Sequence, residues 1–155
     1  MAPHATIHAS AVLIGAKAVL IRGPSGAGKS RLVWDLLQAA VQNTGRLGPL
    51  PFARLVADDR AYVEARAGRL LVRPAAELAG LIEIHGLGIR RLPYEAMAVV
   101  GLVVDLAATD AARLPAVEAG EAVIEGVALP RLAVAAGMAA LPLVLACLGS
   151  PAAGD

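Results

Sequence analysis

Cysteine and aromatic side chains are scarce in this sequence. Its 155 residues include one cysteine, Cys147, which excludes an internal disulfide and a zinc site built on several cysteines. Because Cys147 lies in an apolar segment, we expect it to be buried and inert. Only 3 % of the residues are aromatic, so the 57 % hydrophobic content rests mainly on aliphatic side chains. This composition disfavours an all-β protein and suits the buried strands of an α/β sheet.

Neither sign of charge predominates either. The chain has 14 basic and 13 acidic residues and a net charge of +1, so no overall field draws it to nucleic acid or anionic lipid. We therefore expect neither partner. The uncharged segment from Leu132 to Gly154 is long enough to span a bilayer, but its prolines, glycines and many alanines argue against a membrane span.

The length fits one domain, and the N-terminus carries no secretion signal. We expect a cytoplasmic protein with a single domain over residues 1–150 and a disordered tail over residues 151–155. Near the C-terminus the sequence predicts one helix at about Ala133–Ala140 and another from Pro142.

A glycine-rich loop, defined here as residues 23–30, has the pattern G-x-x-x-x-G-K-S between an apolar run and a helix-compatible segment. Such glycines let consecutive backbone N–H groups turn around a phosphate, and the following helix adds its positive N-terminal end. In this motif the lysine reaches the β- and γ-phosphates and the serine hydroxyl binds Mg²⁺. The predicted nucleotide-binding residues are Gly23, Pro24, Ser25, Gly26, Ala27, Gly28, Lys29 and Ser30.

Apolar runs and turn residues predict strands and helices in mixed order. The runs Ala11–Ile14 and Ala18–Ile21 predict a hairpin, Ser30–Val41 predicts a helix, and Asn43–Pro51 predicts a surface loop. Further elements are predicted as a strand at Arg54–Ala57, a hairpin of Tyr62–Arg66 with Arg69–Arg73, a helical turn at Glu77–Ile82 and a buried strand at Met97–Val104. The predicted fold class is α/β, a P-loop nucleotide-binding domain with a mixed sheet.

Acidic residues at three places could complete the site, and the sequence alone leaves the choice open. Asp105 follows an apolar strand, which is typical of a metal-binding Walker B element. Asp58 and Asp59 also follow a strand, where one could serve the metal and the other accept a proton, or the pair could be a solvated turn. Glu83 precedes two glycines, which is a weak signal taken alone.

Three motifs in order resemble the catalytic domain of the HPr kinase/phosphorylase family, which phosphorylates a serine of the phosphocarrier protein HPr of the bacterial sugar phosphotransferase system. The motifs are Gly23–Ser30, Leu55–Asp59 and Glu83–Ile89. The resemblance runs from about Ile7 to Leu106 and is closest to the short form with the catalytic domain only. It implies a nucleotide site like that of phosphoenolpyruvate carboxykinase, HPr as the partner protein and assembly as a hexamer.

The resemblance also implies roles for the matched residues. Lys29 and the loop amides would hold the phosphates of ATP, and Ser30 with Glu83 would bind Mg²⁺. Asp58 would take the proton from the target serine as a base. During phosphorolysis the same carboxyl would return a proton, because one group between nucleophile and leaving oxygen serves both directions.

The family resemblance also guides the interpretation of four other residues. Asp59 would support the metal site, and His8 would lie near the transferred phosphate. His85 stands where the family has arginine, and it is shorter and mostly neutral at pH 7, which puts phosphorolysis in doubt. Asp105 becomes a strand-end residue, because the metal already has other ligands.

The leading hypothesis is an ATP- and Mg²⁺-dependent serine kinase acting on HPr, with phosphorylase activity left open by His85. A P-loop small-molecule kinase, favoured by the small size and by Asp105, is the alternative. A non-catalytic nucleotide-sensing module is the third. The sequence has no Asn-Lys-x-Asp motif, which disfavours a GTPase.

Overall fold

The computed structural model describes residues 5–42, 52–150 and 153, in which the chain forms eleven strands and two α-helices. The loop predicted over residues 43–51 and the tail predicted over residues 151–155, Ala153 aside, lie outside the described residues. The elements in chain order are β1 (Ala5–Ile7), β2 (Ala9–Ile14), β3 (Lys17–Arg22), α1 (Lys29–Val41), β4 (Ala53–Ala57), β5 (Ala61–Arg66), β6 (Arg69–Pro74), β7 (Leu81–Ile84), β8 (Gly88–Arg91), β9 (Ala98–Leu106), β10 (Glu121–Ile124), β11 (Val127–Val134) and α2 (Ala140–Gly149). Two short 3₁₀ turns lie at Ala76–Leu78 and Val117–Gly120.

β9 is the central strand of a mixed sheet, which confirms the predicted mixed α/β class. The strand order is β1-β5-β6-β9-β3-β2-β4, and β11 with its partner β10 branches from β9. β9 runs parallel to β3 and β11 and antiparallel to β6. β7 and β8 form a separate hairpin.

Side chains of the central strands alternate between two cores. In β3, Ala18 and Leu20 belong to one buried cluster, whereas Val19 and Ile21 belong to the other. Both faces are covered, which explains why these strands read as continuous apolar runs. α1 packs on the second cluster through Leu32, Val33 and Leu36 and α2 packs on it through Val144, so both helices cover the same face of the sheet.

The C-terminal region departs from the sequence prediction. The helix predicted at residues 133–140 is wrong, because Arg131–Val134 pairs in parallel with Val103–Leu106 of β9 and β11 extends to Val134. Gly137 then turns the chain with a φ of 80°, and α2 begins at Ala140. Pro142 fits in the first turn of α2, where its missing N–H has no helical partner to lose.

The expectation that Cys147 is buried is also wrong, because this residue is exposed. α2 buries Val144, whereas residues 146–149 in its last turn are exposed. Partial burial still raises the pKa of the Cys147 thiol above its ordinary value of 9.0. Within the described residues, no helix is long and apolar enough to cross a bilayer.

Candidate active site

The carboxyl ends of four strands meet at one edge of the sheet. β3 and β11 run parallel to β9, and β4 runs the same way as β3 because each is antiparallel to β2. The glycine-rich loop follows β3, Asp58 follows β4, and Asp105 lies near the end of β9. Ligands of α/β proteins commonly bind beyond the carboxyl ends of strands, so this edge is where a site is expected.

The glycine-rich loop needs its glycines for backbone conformation. Gly26 and Gly28 have φ values of 83° and 101°, in the left-handed region, and a Cβ on either would meet no atom within 4 Å. The constraint on them is therefore conformational rather than steric. At Gly23 a Cβ would come within 3.1 Å of the Leu106 Cβ, so that position requires a close approach of the loop to β9.

The N-terminus of α1 faces this loop without a side-chain cap. Gly28 is the N-cap residue, no side chain bonds to the end of the helix, and the first turn of α1 contains no acidic residue. N–H groups in the first turn of a helix have no partner within the helix, and the helix dipole makes this end positive. The loop and α1 together thus form a site suited to an anion.

Lys29 is the first residue of α1 and is 7 % exposed. Its Nζ donates hydrogen bonds to the carbonyl oxygens of Gly23, at 2.8 Å, and Pro24, at 3.2 Å. The ammonium group has three donors. It therefore closes the start of the loop while keeping a third N–H for another acceptor.

Asp58 connects the loop to two other elements. It is 8 % exposed, and its Oδ1 accepts hydrogen bonds from the Ser30 hydroxyl, at 2.6 Å, and the Ser10 hydroxyl, at 2.9 Å. Its Oδ2 accepts the backbone N–H of Glu83, at 3.1 Å. A carboxylate has about four acceptor positions, two on each oxygen. Within the described part of the chain, three of these positions accept hydrogen bonds, and the fourth, on Oδ2, is free.

Asp59 is exposed and adopts an unusual backbone conformation. Its φ is 67°, and Arg60 N–H donates to the Asp58 carbonyl at 2.8 Å across it, which forms a tight three-residue turn. Asp59 N–H donates to the Ser10 hydroxyl at 3.0 Å. A non-glycine residue in this region costs about 1–3 kcal/mol and persists only where its surroundings hold it.

A cleft of about 830 Å³ brings most of the predicted residues together. Its walls include loop residues with Lys29 and Ser30, Trp34 of α1, the Asp58–Asp59 pair, Glu83 and His85. A second cleft, of about 540 Å³, lies against the loop and is lined also by Leu106, Ala107 and residues 134–141. Two clefts therefore adjoin the same loop.

His8 and Asp105 line neither cleft. His8 is exposed in the bend between β1 and β2. Glu83 and His85, in contrast, border the larger cleft although they lie on the separate hairpin, because the Glu83 amide is tied to Asp58. The structure therefore groups the loop with Asp58, Asp59, Glu83 and His85.

Asp105 is held by two arginines. Its carboxylate accepts two hydrogen bonds from Arg22, at 2.7 and 2.8 Å, and one from Arg131, at 2.6 Å. Arg131 also pairs with Asp110. Burial alone would raise the pKa of Asp105, but the hydrogen bonds and charges of Arg22 and Arg131 outweigh it, and the pKa lies below its ordinary value. This arrangement is typical of a structural anchor.

Ser10 is the residue that the sequence interpretation missed. It is fully buried and contacts both Asp58 and Asp59. The available signal was a hydroxyl in the middle of the apolar strand Ala9–Ile14, because a buried polar side chain needs a partner.

Known proteins of similar sequence include HPr kinase/phosphorylases. No family model matches the sequence. The HPr kinase/phosphorylases of Limosilactobacillus reuteri (strain DSM 20016) and Streptococcus thermophilus (strain ATCC BAA-491 / LMD-9) are each 38 % identical over 90 residues, which are 57 % of this chain and 24 % and 25 % of those proteins. That of Clostridium tetani is 30 % identical over 93 residues, 60 % of this chain and 27 % of that protein. The matched segment thus spans about a quarter of each relative.

The fold has a solved counterpart in the Hpr(Ser) kinase/phosphatase from Coxiella burnetii. The TM-score is 0.70 over 93 % of both chains, with 23 % sequence identity, a likeness that concerns the fold. Sequence relatives and fold together relate this chain to the HPr kinase/phosphorylase family.

Proposed function

We propose that this protein is an ATP- and Mg²⁺-dependent kinase that phosphorylates a serine of an HPr-type phosphocarrier protein. The observation that carries the proposal is the convergence of three motifs on one carboxylate. Asp58 is bonded to Ser30 of the glycine-rich loop and to the Glu83 amide of the hairpin, at the wall of one cleft. A phosphate donor and a proton acceptor would therefore lie side by side.

The loop supplies the donor half of this site. Its amides, the uncapped N-terminus of α1 and the third N–H of Lys29 are suited to the phosphates of ATP. The smaller cleft, on the side of residues 134–141, offers room for the nucleoside. We propose a nucleotide site like that of phosphoenolpyruvate carboxykinase, as the family resemblance implies.

The oxygen donors around Ser30 fit Mg²⁺. Within the described residues, no group of three or more His, Cys, Asp and Glu side chains could hold a metal ion. Mg²⁺ commonly takes only one or two carboxylates and completes its shell with phosphate and water. We assign the Ser30 hydroxyl and the Glu83 carboxylate as its protein ligands, with Asp59 in support. Bound Mg²⁺ neutralises charge on the transferred phosphate.

Asp58 is the proposed general base. The free acceptor position on its Oδ2 receives the proton of the serine hydroxyl as the serine oxygen forms its bond to the γ-phosphorus. The bond between that phosphorus and the oxygen of the leaving ADP breaks. In the reverse direction, the protonated Asp58 returns its proton to the serine oxygen.

Several finer assignments follow from the family resemblance. We propose a cytoplasmic location, a hexameric assembly and a role for His8 near the transferred phosphate. His85 borders the cleft where the family has arginine, and histidine lacks the permanent charge and the bidentate hydrogen bonding of arginine toward phosphate. We therefore propose that the forward kinase reaction predominates over phosphorolysis.

Phosphorylation of HPr tests the proposal. Incubation with ATP, Mg²⁺ and the HPr of the same organism should yield phosphoserine, detected by mass spectrometry. Asp58→Asn should lower the rate by about 10²- to 10⁴-fold, because the base is lost, while nucleotide still binds. Trp34, the single tryptophan, borders the cleft, so its fluorescence reports that binding directly.

A matched control is Asp110→Asn, which changes an exposed aspartate outside both clefts. This variant should transfer phosphate like the wild type. Unchanged transfer by Asp58→Asn would refute the base assignment. Nucleotide binding without transfer to HPr by the wild type would refute the kinase proposal and favour a nucleotide-sensing module.

A further inference from the structure

A single hydroxyl interrupts the buried part of β2. Ser10 is 0 % exposed and lies between Ala9 and Ala11, which are equally buried. Its Oγ donates to Asp58 Oδ1 at 2.9 Å and accepts the Asp59 N–H at 3.0 Å. The donor and one acceptor position of the hydroxyl are therefore both used on the same pair of residues.

The sheet places Ser10 opposite this pair. β2 and β4 are antiparallel with Ala11 opposite Ala57, so Ser10 and Asp58 follow as neighbours where β4 ends. The Ser10 hydroxyl thereby fixes two neighbouring groups. It holds the carboxylate of Asp58, and it holds the amide of Asp59, whose left-handed φ of 67° needs support from its surroundings.

The two donors to Asp58 Oδ1 differ in what they can do. Ser30 borders the cleft, and under the proposed function its hydroxyl oxygen also binds the metal. Ser10 does not border the cleft and belongs to the central sheet. Its hydrogen bond to Oδ1 is therefore made from the sheet and not from the cleft.

We propose that Ser10 is a positioning residue for the phosphoryl transfer, an inference that rests on the proposed kinase function. By holding Oδ1 and the turn at Asp59, Ser10 presents the free acceptor position of Asp58 Oδ2 to the serine hydroxyl. A positioning residue of this kind affects the turnover rate rather than nucleotide affinity, because it touches the base and not the ATP.

The test compares Ser10→Ala with Val12→Ala. Val12 is also 0 % exposed, lies two residues further along β2 on the same face as Ser10, and packs in the second buried cluster, so its truncation loosens the strand without removing a bond to Asp58. Ser10→Ala should lower kcat by roughly 10- to 100-fold. Its KM for ATP and its nucleotide titration by Trp34 fluorescence should stay within about twofold of the wild type. Val12→Ala should lower thermal stability and keep kcat.

Each outcome decides the matter. A kcat of Ser10→Ala within about twofold of the wild type overturns the inference, as does an equal loss of kcat in Val12→Ala. A loss confined to nucleotide affinity also overturns it. If Ser10→Ala does not fold, Ser10→Cys, which keeps the size and a weak donor, should show an intermediate kcat, and a wild-type kcat would overturn the inference. A wild type that transfers no phosphate overturns the proposed function itself, which separates the two failures.

Discussion

Replacing Asp105 by asparagine removes the charge that two arginines share. The Asp105 carboxylate accepts three hydrogen bonds from Arg22 and Arg131 at 2.6–2.8 Å. Asparagine keeps one oxygen, so its amide NH₂ group must face one of the two guanidinium groups. The variant therefore loses charge-assisted hydrogen bonds. It also leaves one guanidinium group facing the amide NH₂ group, and both of these groups are hydrogen-bond donors.

The size of the destabilisation depends on how exposed Arg22 and Arg131 are. A hydrogen bond to a charged group contributes about 1.5–3 kcal/mol, and breaking a buried ion pair costs up to about 5 kcal/mol. Arg22 is 34 % exposed and can turn to water, whereas Arg131 is 13 % exposed but retains Asp110. We therefore expect Asp105→Asn to lower the free energy of unfolding by about 2–3 kcal/mol.

This loss has a defined pH dependence. The pKa of Asp105 is lowered in the folded protein from the ordinary value of 3.8. Its stabilising contribution is present above that ordinary value and is lost as the pH falls through the lower folded pKa. The difference between wild type and Asp105→Asn should therefore be constant from neutral pH down to about pH 4 and shrink below it.

Urea unfolding followed by Trp34 fluorescence measures this difference, and Glu95→Gln is its control. Glu95 pairs with Arg54 at 3.5 Å, and both side chains are more than one-third exposed. Its replacement should cost less than about 1 kcal/mol. If Asp105→Asn lowers the free energy of unfolding no more than Glu95→Gln does, Asp105 is not a structural anchor. Normal stability with abolished phosphoryl transfer would make Asp105 a metal ligand and would favour the small-molecule kinase.

Two further predictions concern the cleft. Gly28→Ala and Gly126→Ala should each lower the free energy of unfolding by about 1–2 kcal/mol, measured by thermal unfolding. Both glycines have left-handed φ values with open space at Cβ, so the cost is conformational. Only Gly28→Ala should also weaken ATP binding, measured by Trp34 fluorescence. Equal ATP affinity in both variants would contradict the role of the loop. His85→Arg should increase phosphate-dependent dephosphorylation of phosphoserine-HPr, measured as pyrophosphate release, because arginine is permanently charged and bidentate toward phosphate. An unchanged rate would mean that residue 85 does not contact the attacking phosphate.

Local patterns in the sequence predicted the parts of the fold that depend on neighbouring residues. The hairpin of β2 and β3, the helix α1 and the strand β9 follow apolar periodicity. The family resemblance was confirmed by the relatives. The predicted helix at residues 133–140 failed because alanine favours a helix locally, whereas pairing with a strand some 30 residues earlier decided the outcome.

Contacts between distant residues account for the rest of the site. The family resemblance predicted that Asp58, Asp59 and Glu83 act with the loop, and all of them border one cleft. Their catalytic roles stay predictions. The hydrogen bond from Ser10 to Asp58 spans 48 residues, and the arginines of Asp105 lie 83 and 26 residues away from it. No periodicity or motif encodes such pairs.

The position of β9 also governs when the chain can fold. β9 pairs with β3, which precedes it by about 80 residues, with β6 and finally with β11. Because β11 follows it in the chain, the Val103–Leu106 segment of β9 lacks its second partner during synthesis until residues 131–134 have emerged from the ribosome, whereas Ala98 and Val99 can already pair with β6. Ladders between distant segments close slowly, and open strand edges pair with other chains. A nascent or truncated chain that ends before residue 131 is therefore expected to aggregate more readily than the full chain.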